Sequence, residues 1–137
     1  MIEELFVGIP RAPHGAVGRC VCIDGLGRSV EEASFAWTPA RLGELMGWLV
    51  AQEERDITVT LGVVVEDLDP EIGGLLRGGP IVVKGLERPV VDAMEGMLRR
   101  KQRTLRMRAR CVAQLLLLAD YPPQRLGLEA PLRLARW

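Results

Sequence analysis

Seven of the chain's 18 arginine and lysine residues lie between Arg99 and Arg110, with no acidic residue among them. At about 100° per residue in a helix, Arg99, Arg103, Arg106 and Arg110 follow an i, i+4, i+7, i+11 pattern and form a narrow stripe about 16 Å long. That length matches roughly two or three phosphates, each of which a guanidinium can grip bidentately while counterions are released. The same stripe could instead be solvated, or pair with carboxylates of this chain or of a second subunit. Glu95, for example, stands at i, i+4 from Arg99. Met94, Leu98, Leu105, Val112, Leu115 and Leu116 project from the opposite side, so a helix here has a core face and an arginine face. Lys101 and Arg108 fall near the apolar side, where they must snorkel or pair with carboxylates. No aromatic residue interleaves with the arginines, so base stacking is not indicated.

The basic cluster divides the chain electrically. Residues 1–95 hold 8 basic and 16 acidic side chains, a net charge of −8, and residues 96–137 hold 10 basic and 2 acidic, a net charge of +8. The overall zero hides a dipolar molecule whose basic end suits a polyanion or an acidic protein surface.

Other chemistry-bearing residues are sparser. Cys20-x-Cys22 places two thiols on one face of a strand, with His14 nearby in sequence and Cys111 the one remaining cysteine. A tetrahedral metal site from these has a thin ligand supply, and small buried core residues are the plainer reading. Cys111 beside Arg108 and Arg110 is in a setting that lowers a thiol pKa, but no base partner is visible for nucleophilic catalysis. Gly73-Gly74 and Gly78-Gly79-Pro80 lack the Gly-Lys-Ser/Thr and GxGxxG patterns of phosphate loops and read as turns. Trp37 and Trp48 flank the first predicted helix as core or interface residues, and Trp137 suggests docking of the C-terminus.

A length of 137 residues suits one domain with a core that needs neither disulfide nor metal. The expected organisation is a single α/β domain over 1–121 and a tail, 122–137, packed on the domain or on a partner subunit. Three cysteines and an opening MIEELFVGIP without a basic or long apolar leader fit a reduced, cytoplasmic setting. The apolar run around 111–119 is too short to span a bilayer, so no membrane partner is expected. Asn is absent and Lys84 and Lys101 are the only lysines, a composition compatible with a thermophile and equally with a GC-rich genome.

The elements that must position these residues follow from pattern. ELFVGI (4–9) and GRCVCI (18–23) are rich in β-formers around a Pro/Gly loop, and ASFAW (33–37) makes a short third strand. Thr38-Pro39 starts a helix, with Leu42, Leu45, Met46 and Leu49 on its inner face. ITVTLGVVV (57–65) begins with alternation and ends in a continuous apolar run, which suits a central strand covered on both faces. Asp69-Pro70 opens a short helix that Gly78-Gly79 stops, Ile81–Val83 is another strand, and one long helix is predicted from Val90 to about Ala119, ended by Pro122-Pro123. The order is β-β-β-α-β-α-β-α.

LFVGI, then CVCIDGLGR, then the Thr-Pro helix start and VVVE make the segment from about 4 to 119 resemble the ribonuclease H-like superfamily, including RuvC-type resolvases and resolvase-like transposase domains. The resemblance implies a ribonuclease H-like mixed sheet. It also implies carboxylates gathered around two Mg²⁺ or Mn²⁺ ions that activate water for phosphodiester cleavage. Carried over position by position, Glu66 or Asp67 matches the fourth-strand carboxylate and Asp92, with Glu95 one turn on, the carboxylate of the last helix. Glu66 and Asp92 are the implied metal ligands. The first-strand Asp is replaced by Pro10, and Asp24 substitutes for it only in a shifted register. The implied catalytic set is thus Asp24, Glu66, Asp67 and Asp92, against the plainer reading of Glu66, Asp67 and Asp69 as an acidic loop complementing a helix dipole.

The expectation is a nucleic-acid-associated domain, leaning away from catalysis, that binds phosphates through Arg99, Arg103, Arg106 and Arg110. A metal-dependent nuclease is one alternative. A structural or regulatory homo-oligomer, in the simplest case a dimer joined by acidic-to-basic contacts, is another.

Overall fold

The computed structural model describes residues 3–13, 15–97, 104–119 and 135–136. Its sheet has the order β3-β2-β1-β4-β5-β6, built from β1 (Glu4–Gly8), β2 (Val17–Asp24), β3 (Ser29–Ala36), β4 (Thr58–Val64), β5 (Val82–Leu86) and β6 (Ala135–Arg136). The first three strands form an antiparallel meander, and β4 and β5 run parallel to β1. Among the described residues, four helices, α1 (Pro39–Glu53), α2 (Pro70–Arg77), α3 (Arg88–Met97) and α4 (Leu105–Leu118), give the expected order with its last helix divided, on a mixed α/β sheet compatible with ribonuclease H-like topology.

Alternation along the strands sorts the core into two layers. Leu5, Val7, Ile9, Cys20, Cys22, Val59, Leu61 and Val63 face α1 and α2, where Leu42, Met46, Leu49, Ile72 and Leu76 are buried against them. Phe6, Val21, Ile23, Val64 and Leu86 face α3 and α4, where Val91, Val112, Leu115 and Leu116 are buried. β4 lies between β1 and β5 with helices on both faces, as its apolar run predicts. Thr38 and Asp69 cap α1 and α2, accepting from Arg41 N–H at 3.3 Å and Ile72 N–H at 2.8 Å.

The single long helix expected from Val90 to Ala119 is corrected to two. Thr104 has extended backbone (φ −93°, ψ 159°), and its hydroxyl accepts from Met107 N–H at 3.1 Å, making it the N-cap of α4. A residue in that conformation cannot continue a helix. The four arginines therefore do not form one helical stripe. Arg106 and Arg110 lie one turn apart on α4, while Arg99 and Arg103 lie outside the described residues.

The third strand is also longer than expected, beginning at Ser29. Its alternation is masked in sequence because β3 is an edge strand with mostly exposed residues, including Glu31 and Val30. Of the tail, Ala135–Arg136 pairs antiparallel with Gly85–Lys84 on β5. The remaining residues from 120 to 134, and Trp137, lie outside the described residues, as does His14. Among the described residues, no helix is long and apolar enough to cross a membrane.

Candidate functional site

The parallel strands β1, β4 and β5 all end on the same side of the sheet, the position at which open α/β folds place ligands. Each delivers a charged residue there: Arg11 after β1, Asp67 after β4 and Arg88 after β5. α3 and α4 add Asp92, Glu95 and Arg108, and together these six line a cleft of about 440 Å³. Three guanidinium groups thus meet three carboxylates.

The pairing is specific. Arg108 Nη1 donates to Asp92 Oδ1 at 2.9 Å and to Glu95 Oε1 at 2.6 Å. Glu95 is only 3% exposed, so Arg108 is the partner that offsets the cost of burying its carboxylate. The requirement that Arg108 snorkel or pair is met by pairing, and Glu95 meets Arg108 from the neighbouring helix. Asp67 accepts the Arg11 backbone N–H at 3.0 Å and lies 3.5 Å from Arg88 Nη2. Arg11 also stacks its guanidinium 5.7 Å from the centre of the Trp37 ring and donates from Nε to Gly15 O at 2.8 Å.

Glu66 has a different task. Its carboxylate accepts the Arg88 backbone N–H at 3.0 and 3.1 Å, capping the first turn of α3 from another element. The acidic-loop reading holds in a modified form: Asp69 serves the start of α2 and Glu66 the start of α3.

Asp24 is not brought to the cleft. β2 runs antiparallel to β1, so Asp24 pairs with Leu5 at the opposite end of the sheet, level with Val59. From Val59 to the end of β4 at Val64 the strand advances about 16 Å. Asp24 instead closes the β2–β3 turn, accepting from Leu26 N–H at 3.0 Å, Arg28 N–H at 2.9 Å and Arg28 Nε at 2.9 Å. The shifted register that would carry it to Pro10 does not occur.

Two-metal chemistry of the kind the resemblance implies does not fit these residues. Pro10 has no donor side chain, Asp24 is at the far end, Glu66 caps a helix, and Asp67, Asp92 and Glu95 are bound to arginines. Among the described residues no group of three or more His, Cys, Asp or Glu side chains is arranged to hold a metal ion. Cys20 and Cys22 do share a strand face, with Sγ atoms 3.6 Å apart in the core. Their mutual hydrogen bond, and then burial, push the Cys22 thiol up and keep it protonated.

The second charged surface lies on the α4 side of the β2–β3 hairpin. Arg106 forks onto the Glu32 carboxylate, with Nη2 to Oε2 at 3.0 Å, while its side chain remains 62% exposed. Arg110 Nη2 donates to Gly27 O at 3.2 Å, and Arg19 Nη1 donates to Ser34 Oγ at 2.7 Å. Arg106 above all, with Arg19 and Arg110 in support, holds the Glu32 carboxyl below the usual range despite the opposing effect of burial. The chain matches no protein-family model, and no curated protein matches it significantly in sequence. Arg11, Arg19 and Arg88 are residues that sequence reasoning missed. None belongs to the basic cluster or to a recognisable motif, and only the strand order gathers them with the rest.

Asp24 and Asp67 titrate with opposite signs. The Arg28 backbone N–H, then the Leu26 N–H and the Arg28 guanidinium, hold Asp24 below the ordinary 3.8 against the effect of burial. Its contribution to stability is therefore present above that value and lost as pH falls through the depressed pKa. Burial pushes Asp67 above 3.8, with the Arg11 N–H and the Arg108 and Arg88 charges opposing it. Folding takes up a proton there, so the Asp67 contribution grows as pH falls through the raised pKa and is lost as pH rises through it. Thermal melts at about pH 3 and pH 7 check this. D24N is expected to cost more stability at pH 7 than at pH 3, whereas D67N is expected to compare better with the parent chain at pH 7 than at pH 3. Equal differences at both pH values would contradict the assignment.

Proposed function

We propose that this chain is a ribonuclease H-like, resolvase-related domain that binds nucleic-acid phosphates without cleaving them. The observation that carries the reading is the Arg106 guanidinium, 62% exposed and forked on Glu32, with Arg110 one turn on along α4 and bonded to Gly27 and Arg19 bonded to Ser34 on the same side of the β2–β3 hairpin. In sequence, Arg99, Arg100, Lys101 and Arg103 precede the α4 cap at Thr104. The excess of positive charge along α4 suits a phosphate backbone, and the arginines that already pair with Asp67, Asp92 and Glu95 at the strand ends argue against cleavage. In this reading Glu32 holds Arg106 in place in the free chain and yields it to phosphate.

Fluorescence anisotropy with labelled single-stranded DNA, single-stranded RNA and duplex DNA tests the proposal. With roughly four phosphate contacts, duplex affinity is expected to fall about 100-fold between 50 and 200 mM salt. R106A/R110A is expected to flatten the slope by about two. E32Q is expected to tighten binding by about two- to five-fold, since it removes an exposed competing partner of modest strength. No binding at low salt, or binding indifferent to salt, refutes the proposal. Cleavage in Mg²⁺ or Mn²⁺ that is lost in D67N or D92N restores the metal-dependent nuclease in its place.

A further inference from the structure

The misfit between the cleft and a divalent ion has a specific cause. Arg108 touches both α3 carboxylates, and it does so through one atom: Nη1 lies 2.9 Å from Asp92 Oδ1 and 2.6 Å from Glu95 Oε1. The two oxygens come from positions i and i+3 of α3 and so face the same way. They converge on a single point that holds positive charge. Asp67 lines the same cleft, where the Arg108 charge opposes the rise that burial gives its carboxyl, so three carboxylates of β4's end and α3 feel the same cation. The site is enclosed at Glu95, Asp67 and Arg108, whose exposures are 3%, 9% and 19%, and open to solvent at Asp92, whose side chain is 49% exposed.

We infer that Arg108 is a built-in cation, with Nη1 occupying the point between Asp92 and Glu95 where a divalent ion would otherwise sit, and that it thereby closes the cleft to metal. A guanidinium suits this role because the two N–H bonds of one terminal nitrogen can serve two carboxylates at once and it does not lose its proton at any accessible pH. It arrives on α4, an element separate from the acidic helix, so folding itself loads the site. The cleft is thereby neutral without any ion from solution, and α3 is tied to α4 at their adjoining turns. Manganese needs only one or two carboxylates and water to complete its shell, so the pair that Arg108 holds is sufficient once vacated. This inference concerns the cleft alone and does not depend on nucleic-acid binding by the hairpin face.

Mn²⁺ binding followed by the electron paramagnetic resonance signal of the free ion, together with thermal melts, tests it. The parent chain is expected to show no saturable Mn²⁺ binding at up to about 1 mM and no shift in melting with Mn²⁺. R108A is expected to bind Mn²⁺ with a Kd of about 0.1–1 mM, the weak end for carboxylate sites. Its melting midpoint should rise by about 5 °C or more in 10 mM Mn²⁺. R108A/D92N is expected to lose both effects, and R108K, which returns a cation to the same place, to stay metal-free. Should R108A be unfolded, refolding by Mn²⁺ seen in circular dichroism supports the inference equally. Saturable Mn²⁺ binding by the parent chain that D92N abolishes overturns it. So does an R108A chain, folded or not, that is indifferent to Mn²⁺, because a cation serving for charge alone must be replaceable by another.

Discussion

Gly8→Val is expected to lower the thermal midpoint by more than about 10 °C or to prevent folding, a loss of roughly 3 kcal/mol or more. Gly8 pairs with Gly62 across the parallel β1–β4 ladder, and α4 crosses directly over both. A Cβ at Gly8 would collide with the Ala109 carbonyl oxygen and lie 2.9 Å from both the Ala113 nitrogen and the Val112 Cβ. These obstacles are largely helix backbone, which cannot rotate away as a side-chain tip can, so α4 must lift from the sheet and uncover the layer formed by Val112, Leu115 and Leu116. At Gly62 the nearest atoms belong to the side chains of Leu116 and Val112, at 2.8 and 2.9 Å, so Gly62→Ala should be milder. Gly47, on the exposed side of α1 with nothing within 4 Å, provides the opposite control. Gly47→Ala should stabilise by about 0.5–1 kcal/mol, because it removes backbone freedom from the unfolded chain without a clash. Melts of the three variants by circular dichroism decide the matter. A Gly8→Val chain as stable as the parent would show that α4 does not press on β1.

The second large effect is at the junction of α3 and α4. Arg108→Met should destabilise by roughly 3–5 kcal/mol, because it leaves Glu95 buried without a counter-charge. Glu95→Leu should cost less, since Arg108 keeps Asp92, whose side chain is half exposed. The double variant Glu95→Leu/Arg108→Met should recover most of the loss, because two apolar side chains of similar volume need no desolvated partner. Urea unfolding of the four proteins gives the coupling. Additive losses would mean that the two residues act independently, contrary to the 2.6 Å contact between them. A typical domain has several kcal/mol of stability in reserve, so the single variants should remain measurable.

Much of the architecture is legible before folding. The Thr38-Pro39 and Asp69-Pro70 starts, the apolar run of β4 and the β-rich segments around the first loop each have a local physical signature, and each element appears where the signature places it. The break between α3 and α4 was less visible. Arginine and leucine on both sides favour helix, and Thr104 is a cap only because the backbone there is extended. β3 was shortened because an edge strand with one partner has no need of a strict apolar alternation.

The charged site was the least readable. The pairing of opposite charges was foreseeable for Arg108 from its place near an apolar face. Its partners were not, because Asp92 and Glu95 lie 16 and 13 residues away on a helix that the sequence appeared to continue without interruption. Arg106 and Glu32 are 74 residues apart. Asp24 shared the chemistry of the implied metal ligands but not their end of the sheet, a difference set by the antiparallel direction of β2. Residue type, periodicity and capping act over a few residues, and so the sequence alone determines the order of most elements, the two-faced central strand and the electrical asymmetry of the chain. Which carboxylate meets which arginine depends on strand order and direction, and these are decided when the two apolar layers close on the sheet.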